Sequence, residues 1–402
     1  MSSVKSSIGV ATECIHAGKR PNTYGALCTP IYQSTTFSFQ STDDAAATFS
    51  MTRDIQEHFV YSRTSNPNTT VVERKIAALE HGTDAVAFGS GMGAIAGTLL
   101  SLANAGDHIL CSNTLYSGTH HLLKSTLVRF GVEVTSVDTT DLSAVEKAIR
   151  PNTKIMYVET PANPTMEITD LAGIAEIAKK HNILSISDNT FASPYLCNPL
   201  DHGMDIVVHS CSKYICGHGD AVSGVVVTKD SSLAKKIRME GLTHIGSVMA
   251  PHTASLLERG LKTLGLRMEQ HCKNALTVAQ WLEQQPWIAA VHYPYLPSDP
   301  GYTMAKKQMR GGSGVVSFEV AAGLEGGKAL MNHLQLCTIA VSLGDCETLL
   351  EHPASMTHAS VSKPEREAEG ITDGLIRMSV GLENVEDIIA DLEQASHYID
   401  QS

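Results

Sequence analysis

Positive charge is what this 402-residue chain lacks: 30 Lys and Arg stand against 42 Asp and Glu, a net charge of −12. Nucleic acid and anionic membranes both call for cations opposite them, so neither is expected as a partner. Long apolar runs are missing too. No uncharged stretch approaches the roughly 20 residues of a membrane-spanning helix, and "MSSVKSSIGVATECIHAGKR" at the start holds no apolar run of signal-peptide length. Nine cysteines are an odd number, scattered and without a C-x-x-C pair. That pattern argues against a disulfide framework and for reduced thiols in a cytoplasmic protein. Internal repeats, low-complexity tracts, H-E-x-x-H and Cys/His ligand spacings are absent as well, so no metal is expected. "THH" (119–121) and "GHG" (217–219) read as structural histidines, and Cys211 and Cys216 as small buried fillers.

What is present is an ordinary globular composition, 43% hydrophobic and 18% charged, on a chain long enough for two domains. Residues 1 to 60 read as irregular. Then a rhythm starts. "TTVVERKIAALEHG" (69–82) has apolar residues at helical spacing and stops at a glycine. "DAVAFGSG" (84–91) reads as a buried strand, "MGAIAGTLLSLANAG" (92–106) as a helix and "DHILCSN" (107–113) as a strand. "TKIMYVETP" (153–161), "ILSISDNT" (183–190) and "MDIVVHSCSK" (204–213) repeat the strand theme around a helix at 170–181. Alternation of this kind predicts a mostly parallel sheet with helices on both faces. A long helical stretch (253–285), the strands "GVVSFEV" (314–320) and "GLIRMSVGLEN" (374–384) and a last amphipathic helix predict a smaller C-terminal α/β domain. The expected division is 1–60, 61–255 and 256–402.

Ligands of such sheets bind outside the carboxyl ends of the strands. Ser90, Asn163, Asp188, Ser210, Ser212 and Lys213 all fall at those ends and should converge on one crevice. "GSGMGA" (89–94) fits the glycine fingerprint of a dinucleotide site. Yet the acid that should close the next strand is misplaced, since Asp107 opens it. A single phosphate on the helix N-terminus is the favoured reading. Lys213 taken alone reads as a surface lysine. It follows an apolar strand, however, stands beside Ser210 and Ser212, and has Asp188 at the end of a neighbouring strand. A desolvated lysine is a usable amine nucleophile. A phosphate cradle, a reactive amine and a buried carboxylate together match pyridoxal phosphate, whose aldehyde condenses with lysine and whose ring nitrogen needs an acid.

The chain resembles the Cys/Met-metabolism family of pyridoxal-phosphate enzymes (fold type I) over essentially its whole length. The resemblance rests on "YSRTSNP" (61–67), "GSGMGAI" (89–95), "LYSGT" (115–119), "ETPANP" (159–164), "DNTFASP" (188–194), "HSCSKYICGHGD" (209–220), "VSLGDCETLLEHPASMTHAS" (341–360) and "GLIRMSVGLEN" (374–384). It implies the aspartate-aminotransferase-like fold, with a mostly parallel seven-stranded sheet in the large domain. By the same resemblance Lys213 would carry the cofactor as a Schiff base and shuttle protons. Asp188 would hold the pyridine nitrogen. Ser90, Ser210, Ser212 and the amides of Gly91 and Met92 would bind the phosphate. Tyr61 and Arg63 would reach that phosphate from the neighbouring subunit of a homotetramer. Tyr116 would stack on the ring and protonate the leaving group, and Asn163 would bond the ring's 3-oxygen. Arg377, helped by Ser342, would clamp the substrate carboxylate in a bidentate fork. Alone, Arg63 and Arg377 read as solvated and Tyr116 as core; eight blocks together outweigh that.

The resemblance also implies a reaction on a small sulfur-containing amino acid. Val341 stands where cystathionine γ-lyases carry a glutamate, which points to α,γ-elimination of L-methionine or homocysteine to a thiol, 2-oxobutyrate and ammonia. Gly118 stands where methionine γ-lyases carry a cysteine, and Thr243-His244 where they carry Lys-Asp. These departures point to cystathionine γ-lyase, cystathionine γ-synthase or acyl-homoserine sulfhydrylase chemistry. A scaffold that had lost the chemistry would lack Lys213, Asp188 or Arg377, and all are present.

Overall fold

The structure is a computed structural model describing residues 8–19, 22, 24–50, 56–359, 362–368 and 370–399. Residues 1–7, 20, 21, 23 and 51–55 of the expected N-terminal arm, and Ser360 of the quoted block, lie outside the described residues. The first sheet holds β1 (Asp84–Phe88), β2 (His108–Ser112), β3 (Glu133–Val137), β4 (Thr153–Glu159), β5 (Leu184–Asp188), β6 (Ile206–Ser210) and β7 (Gly224–Thr228). Its order is β1-β7-β6-β5-β4-β2-β3. All pairings are parallel except those of β7, which runs antiparallel to both β6 and β1. β3 and β7 go unnoticed in the sequence. The first is a half-buried edge strand with little apolar signal, and the second is a short valine run trailing the lysine block.

Period-2 alternation along β1 feeds both faces of the sheet. Ala85 and Ala87 pack with Val72 and Ile76 of the helix Pro67–Leu79, whereas Val86 and Phe88 pack with Ala94, Ile95 and Leu99 of the helix Gly91–Leu102. Each fully buried side chain of this size, Leu99 or Phe88 for instance, contributes about 1.5–3 kcal/mol by leaving water. Asn66 caps the first of these helices in a capping box with Thr69, ahead of Pro67.

The second sheet comprises β8 (Ile288–His292), β9 (Val315–Val320), β10 (Thr338–Ile339), β11 (Leu349–Glu351) and β12 (Leu375–Ser379), ordered β10-β11-β12-β9-β8. The helices Leu264–Leu282 and Val385–Ser396 cover it. The expected long helix is two, Pro251–Leu261 and Leu264–Leu282, broken at Lys262-Thr263. The expected division at 255/256 falls inside the first of them. The described residues between 8 and 60 are less irregular than their sequence suggests, with helices Val10–His16 and Thr42–Phe49. The former ends on a buried lysine: Lys75 Nζ donates to the carbonyls of Cys14 and Ile15, each at 3.0 Å. A tertiary contact of that kind leaves no local signal.

Candidate active site

β4, β5 and β6 end side by side at Glu159, Asp188 and Ser210, and a cavity of about 560 Å³ opens beyond them. Ser90, Gly91, Met92 and Tyr116 line it from one side. Asn163, Asp188, Ser210, Ser212 and Lys213 form its floor, and Ser342 and Arg377 arrive from the second sheet and its loops. Gly118 lies beneath the ring of Tyr116. Tyr61 and Arg63 are not among the lining residues; Tyr61 is exposed, with the Arg63 guanidinium over its ring at 5.4 Å.

One end of the cavity is built for an anion. Ser90 caps the helix Gly91–Leu102, its Oγ accepting from Gly93 N at 2.9 Å. The amides of Gly91 and Met92 in that first turn have no partner within the helix. Glycine is required at 91 because a Cβ there would come 2.8 Å from Ser210 Cβ. The Ser212 hydroxyl accepts from Ser223 N at 2.9 Å.

Asp188 sits mid-cavity, 6% exposed. Thr190 gives Oδ1 both its amide (3.0 Å) and its hydroxyl (2.6 Å), and the Tyr157 hydroxyl donates to Oδ2 at 3.2 Å. Burial pushes this carboxyl up, against the donors of Thr190 and the nearby His209. Beside it on β4, Glu159 accepts from the amides of Tyr116 (3.0 Å) and Asn163 (2.9 Å), and burial together with Asp188 pushes it up as well. Glu159 thus ties the loops of Tyr116 and Asn163 to the sheet.

Lys213 Nζ donates to Ser342 Oγ at 3.1 Å. Burial first, then the charge of Arg377, lowers its ammonium to about 8, with Glu351 opposing. Much of it is therefore a neutral amine near pH 8. Arg377 does not present an empty fork. NH1 donates to Asn163 Oδ1 (3.0 Å), and NH2 donates to the carbonyls of Ser342 (3.0 Å) and Val341 (3.3 Å) and pairs with Glu351 Oε2 (2.7 Å). Nε is buried without an acceptor. Because Asn163 spends its oxygen on Arg377, its Nδ2 is left as a donor.

Four residues of this site escape the sequence reading: Tyr157, Glu159, Thr190 and Glu351. An acid closing a buried strand, as Glu159 and Glu351 both do, is the signal that could have found two of them. Among the described residues no group of His, Cys, Asp and Glu could hold a metal, and no helix is long and apolar enough to cross a membrane.

Pyridoxal phosphate fits these residues. Asp188 is a buried carboxyl with three donors and, among the described residues, no ion pair, which suits a ring nitrogen bearing a proton. The anion cradle and the lowered amine flank it on either side. Fold and site together define a pyridoxal-phosphate enzyme of fold type I. Residues 11–397 match the Cys/Met metabolism PLP-dependent enzyme family, and the chain belongs to it. It is 52% identical over 388 residues to an L-methionine gamma-lyase of Fusobacterium nucleatum subsp. nucleatum, covering 96% of this chain and 97% of that one. With an L-methionine gamma-lyase of Porphyromonas gingivalis it shares 50% over 387 residues, 96% of each chain. The crystal structure of a cystathionine gamma-lyase from Lactobacillus plantarum complexed with L-serine superposes with a TM-score of 0.91 at 45% identity, covering 98% of this chain and 100% of that one.

Proposed function

We propose that the protein is a carbon–sulfur lyase that eliminates the γ-thiol of L-methionine and L-homocysteine, giving a thiol, 2-oxobutyrate and ammonia. The observation that carries this reading is the placement of Lys213 between a carboxylate clamp, Arg377 with Ser342, and an apolar rim made by Val341, Val222 and Tyr116. A substrate held by its carboxylate and amine would direct its thioether at that rim, where no glutamate occupies position 341. The naming of the two methionine lyases among the relatives supports the same substrate.

Pyridoxal phosphate, when bound, supplies an aldehyde for the substrate amine and a ring that accepts electrons from Cα. The chain's own residues do the rest. The amides of Gly91 and Met92 with Ser90, Ser210 and Ser212 hold the phosphate, and Asp188 keeps the ring nitrogen protonated. Asn163 Nδ2 donates to the ring oxygen. Lys213 Nζ would take the proton from Cα, give it up again and, as a free amine once more, take one from Cβ, and the Tyr116 hydroxyl would give its proton to the departing sulfur. Tyr61 and Arg63, which do not line their own cavity, serve the phosphate site of a neighbouring copy in a cytoplasmic homotetramer, to which the 1–60 arm also contributes. On this reading the 61–255 and 256–402 portions are the cofactor and small domains.

Gly118 favours a second reading, a cystathionine γ-lyase or a relative that exchanges γ-substituents (cystathionine γ-synthase, acyl-homoserine sulfhydrylase), because it sets no side chain beside Tyr116, whose ring and Met92 close over the glycine. Product analysis on the purified holoenzyme with L-methionine, L-homocysteine, L-cystathionine and L-cysteine separates the two. Methanethiol and 2-oxobutyrate from methionine are expected. Turnover confined to cystathionine would overturn the proposal, as would slow thiol release with fast exchange of added thiol.

A further inference from the structure

Glu351 ends β11 directly opposite Arg377 on β12. Its Oε2 lies 2.7 Å from Arg377 NH2, and both side chains are 5% exposed. The other carboxylate oxygen accepts from the Thr357 hydroxyl. A pocket of about 120 Å³ opens on Glu351, Thr357 and His358 and shares Tyr116, Asn163 and Arg377 with the main cavity. Arg377 therefore meets an incoming carboxylate with its charge already matched, and with Nε as the buried donor lacking an acceptor. A second carboxylate brought to such a pair feels the first. In a site of low effective dielectric, two like charges a few ångströms apart repel by an amount that decides affinity.

We infer that Glu351 is the counter-ion that sets how tightly the clamp holds a carboxylate: it weakens Arg377's grip so that a ligand offering only a carboxylate, above all the 2-oxo acid product, leaves, while an amino acid is retained through its amine as well. Glu351 touches neither substrate nor cofactor on this account; it acts through Arg377 and determines specificity and product release. The inference rests on the reading of Arg377 as the carboxylate clamp. Asp188, Glu159 and Asp220, the other acids lining the cavity, are unchanged in every variant considered.

The test compares holoenzymes of the wild type, E351Q, E351D and R377A, with 2-oxobutyrate as an added inhibitor. Glutamine keeps the length and one acceptor of Glu351 but removes its charge. The inhibition constant of 2-oxobutyrate in E351Q is expected to fall about tenfold, the scale of one unit charge removed from a partly screened site. The pH midpoint of the cofactor's absorption change should move down in the same variant, because a more positive cavity disfavours a protonated nitrogen at Lys213. E351D, which keeps the charge, should retain the wild-type inhibition constant and so control for packing. Unchanged or weaker inhibition of E351Q, with R377A weakened as the clamp requires, sinks the role of Glu351 alone. Wild-type inhibition of R377A would instead remove the clamp reading and this inference with it.

Discussion

Asn163 Oδ1 accepts a hydrogen bond from Arg377 NH1 at 3.0 Å, so the loop after β4 in one sheet is joined to β12 in the other. A side-chain amide thus orients the guanidinium of the proposed carboxylate clamp and keeps its own Nδ2 for the proposed bond to the cofactor.

Asn163→Ala should disturb both partners at once. Loss of a hydrogen bond to a buried charged group costs about 1.5–3 kcal/mol, which corresponds to KM for L-methionine rising roughly 10- to 100-fold. Cofactor should also dissociate faster on dialysis. A variant with wild-type KM and cofactor retention would show that the bond positions nothing.

Position 118 controls the ring of Tyr116. A Cβ on Gly118 would lie 2.6 Å from Tyr116 Cε1 and 3.1 Å from Met92 Sδ, so Gly118→Ala must push the ring away. The proposed proton donor to sulfur is then misplaced, and kcat should fall by about tenfold or more, within the range general-acid catalysis supplies. Cofactor loading should not change. Steady-state rates on methionine and cystathionine check this, and an unaltered kcat on both would mean that the tyrosine does not act on the leaving group.

Lys75 is fully buried, and its ammonium is lowered to about 8, chiefly by burial. Lys75→Met leaves two carbonyls of the N-terminal helix without their donor, at a cost of about 2 kcal/mol. The pH dependence has a definite sign. Below pH 8 the lysine is charged in both folded and unfolded chains, and the penalty of burying that charge is fully present. Between pH 8 and the unfolded value near 10.5 the unfolded chain binds the extra proton, so folding strengthens with pH. The neutral amine still has two N–H groups for its two carbonyls. Urea unfolding should therefore show the gap between wild type and Lys75→Met widening from pH 8 to 10; a gap that narrows would contradict the lowered amine.

The sheet and its ligand edge are legible because buried strands announce themselves as apolar runs and their last residues are then found by counting. β1, β2, β4, β5 and β6 are legible that way, and Asp188 and Lys213 with them. β3 was hidden by its polar edge position, and the helix Val10–His16 by its dependence on Lys75, sixty residues away. The site's second layer is hidden for the same reason. Tyr157, Glu159 and Glu351 act through neighbours supplied by other strands; the two acids are marked only by closing buried strands, and nothing in its own segment marks Tyr157. Thr190 is the near miss, lying two residues from Asp188 in a segment already singled out. Arg377 is legible in its segment as a carboxylate clamp, but its pairing with Glu351 is not, because that counter-charge comes from across a ladder.

β7 is the last strand of its sheet to be made, yet it lies between β1 and β6. Its Gly224 lets the turn at Ser90 approach so closely that a Cβ there would come 2.3 Å from the Ser90 carbonyl oxygen. The two halves of the proposed phosphate cradle, near residues 90 and 210, are thus brought to their final spacing by a strand synthesised after both. A nascent chain that stops short of residue 224 carries every residue of the sheet proposed to hold the cofactor and still lacks the strand that packs on Ser90 and pairs with Ser210. During synthesis, the cofactor has a finished seat only once that strand has slid home.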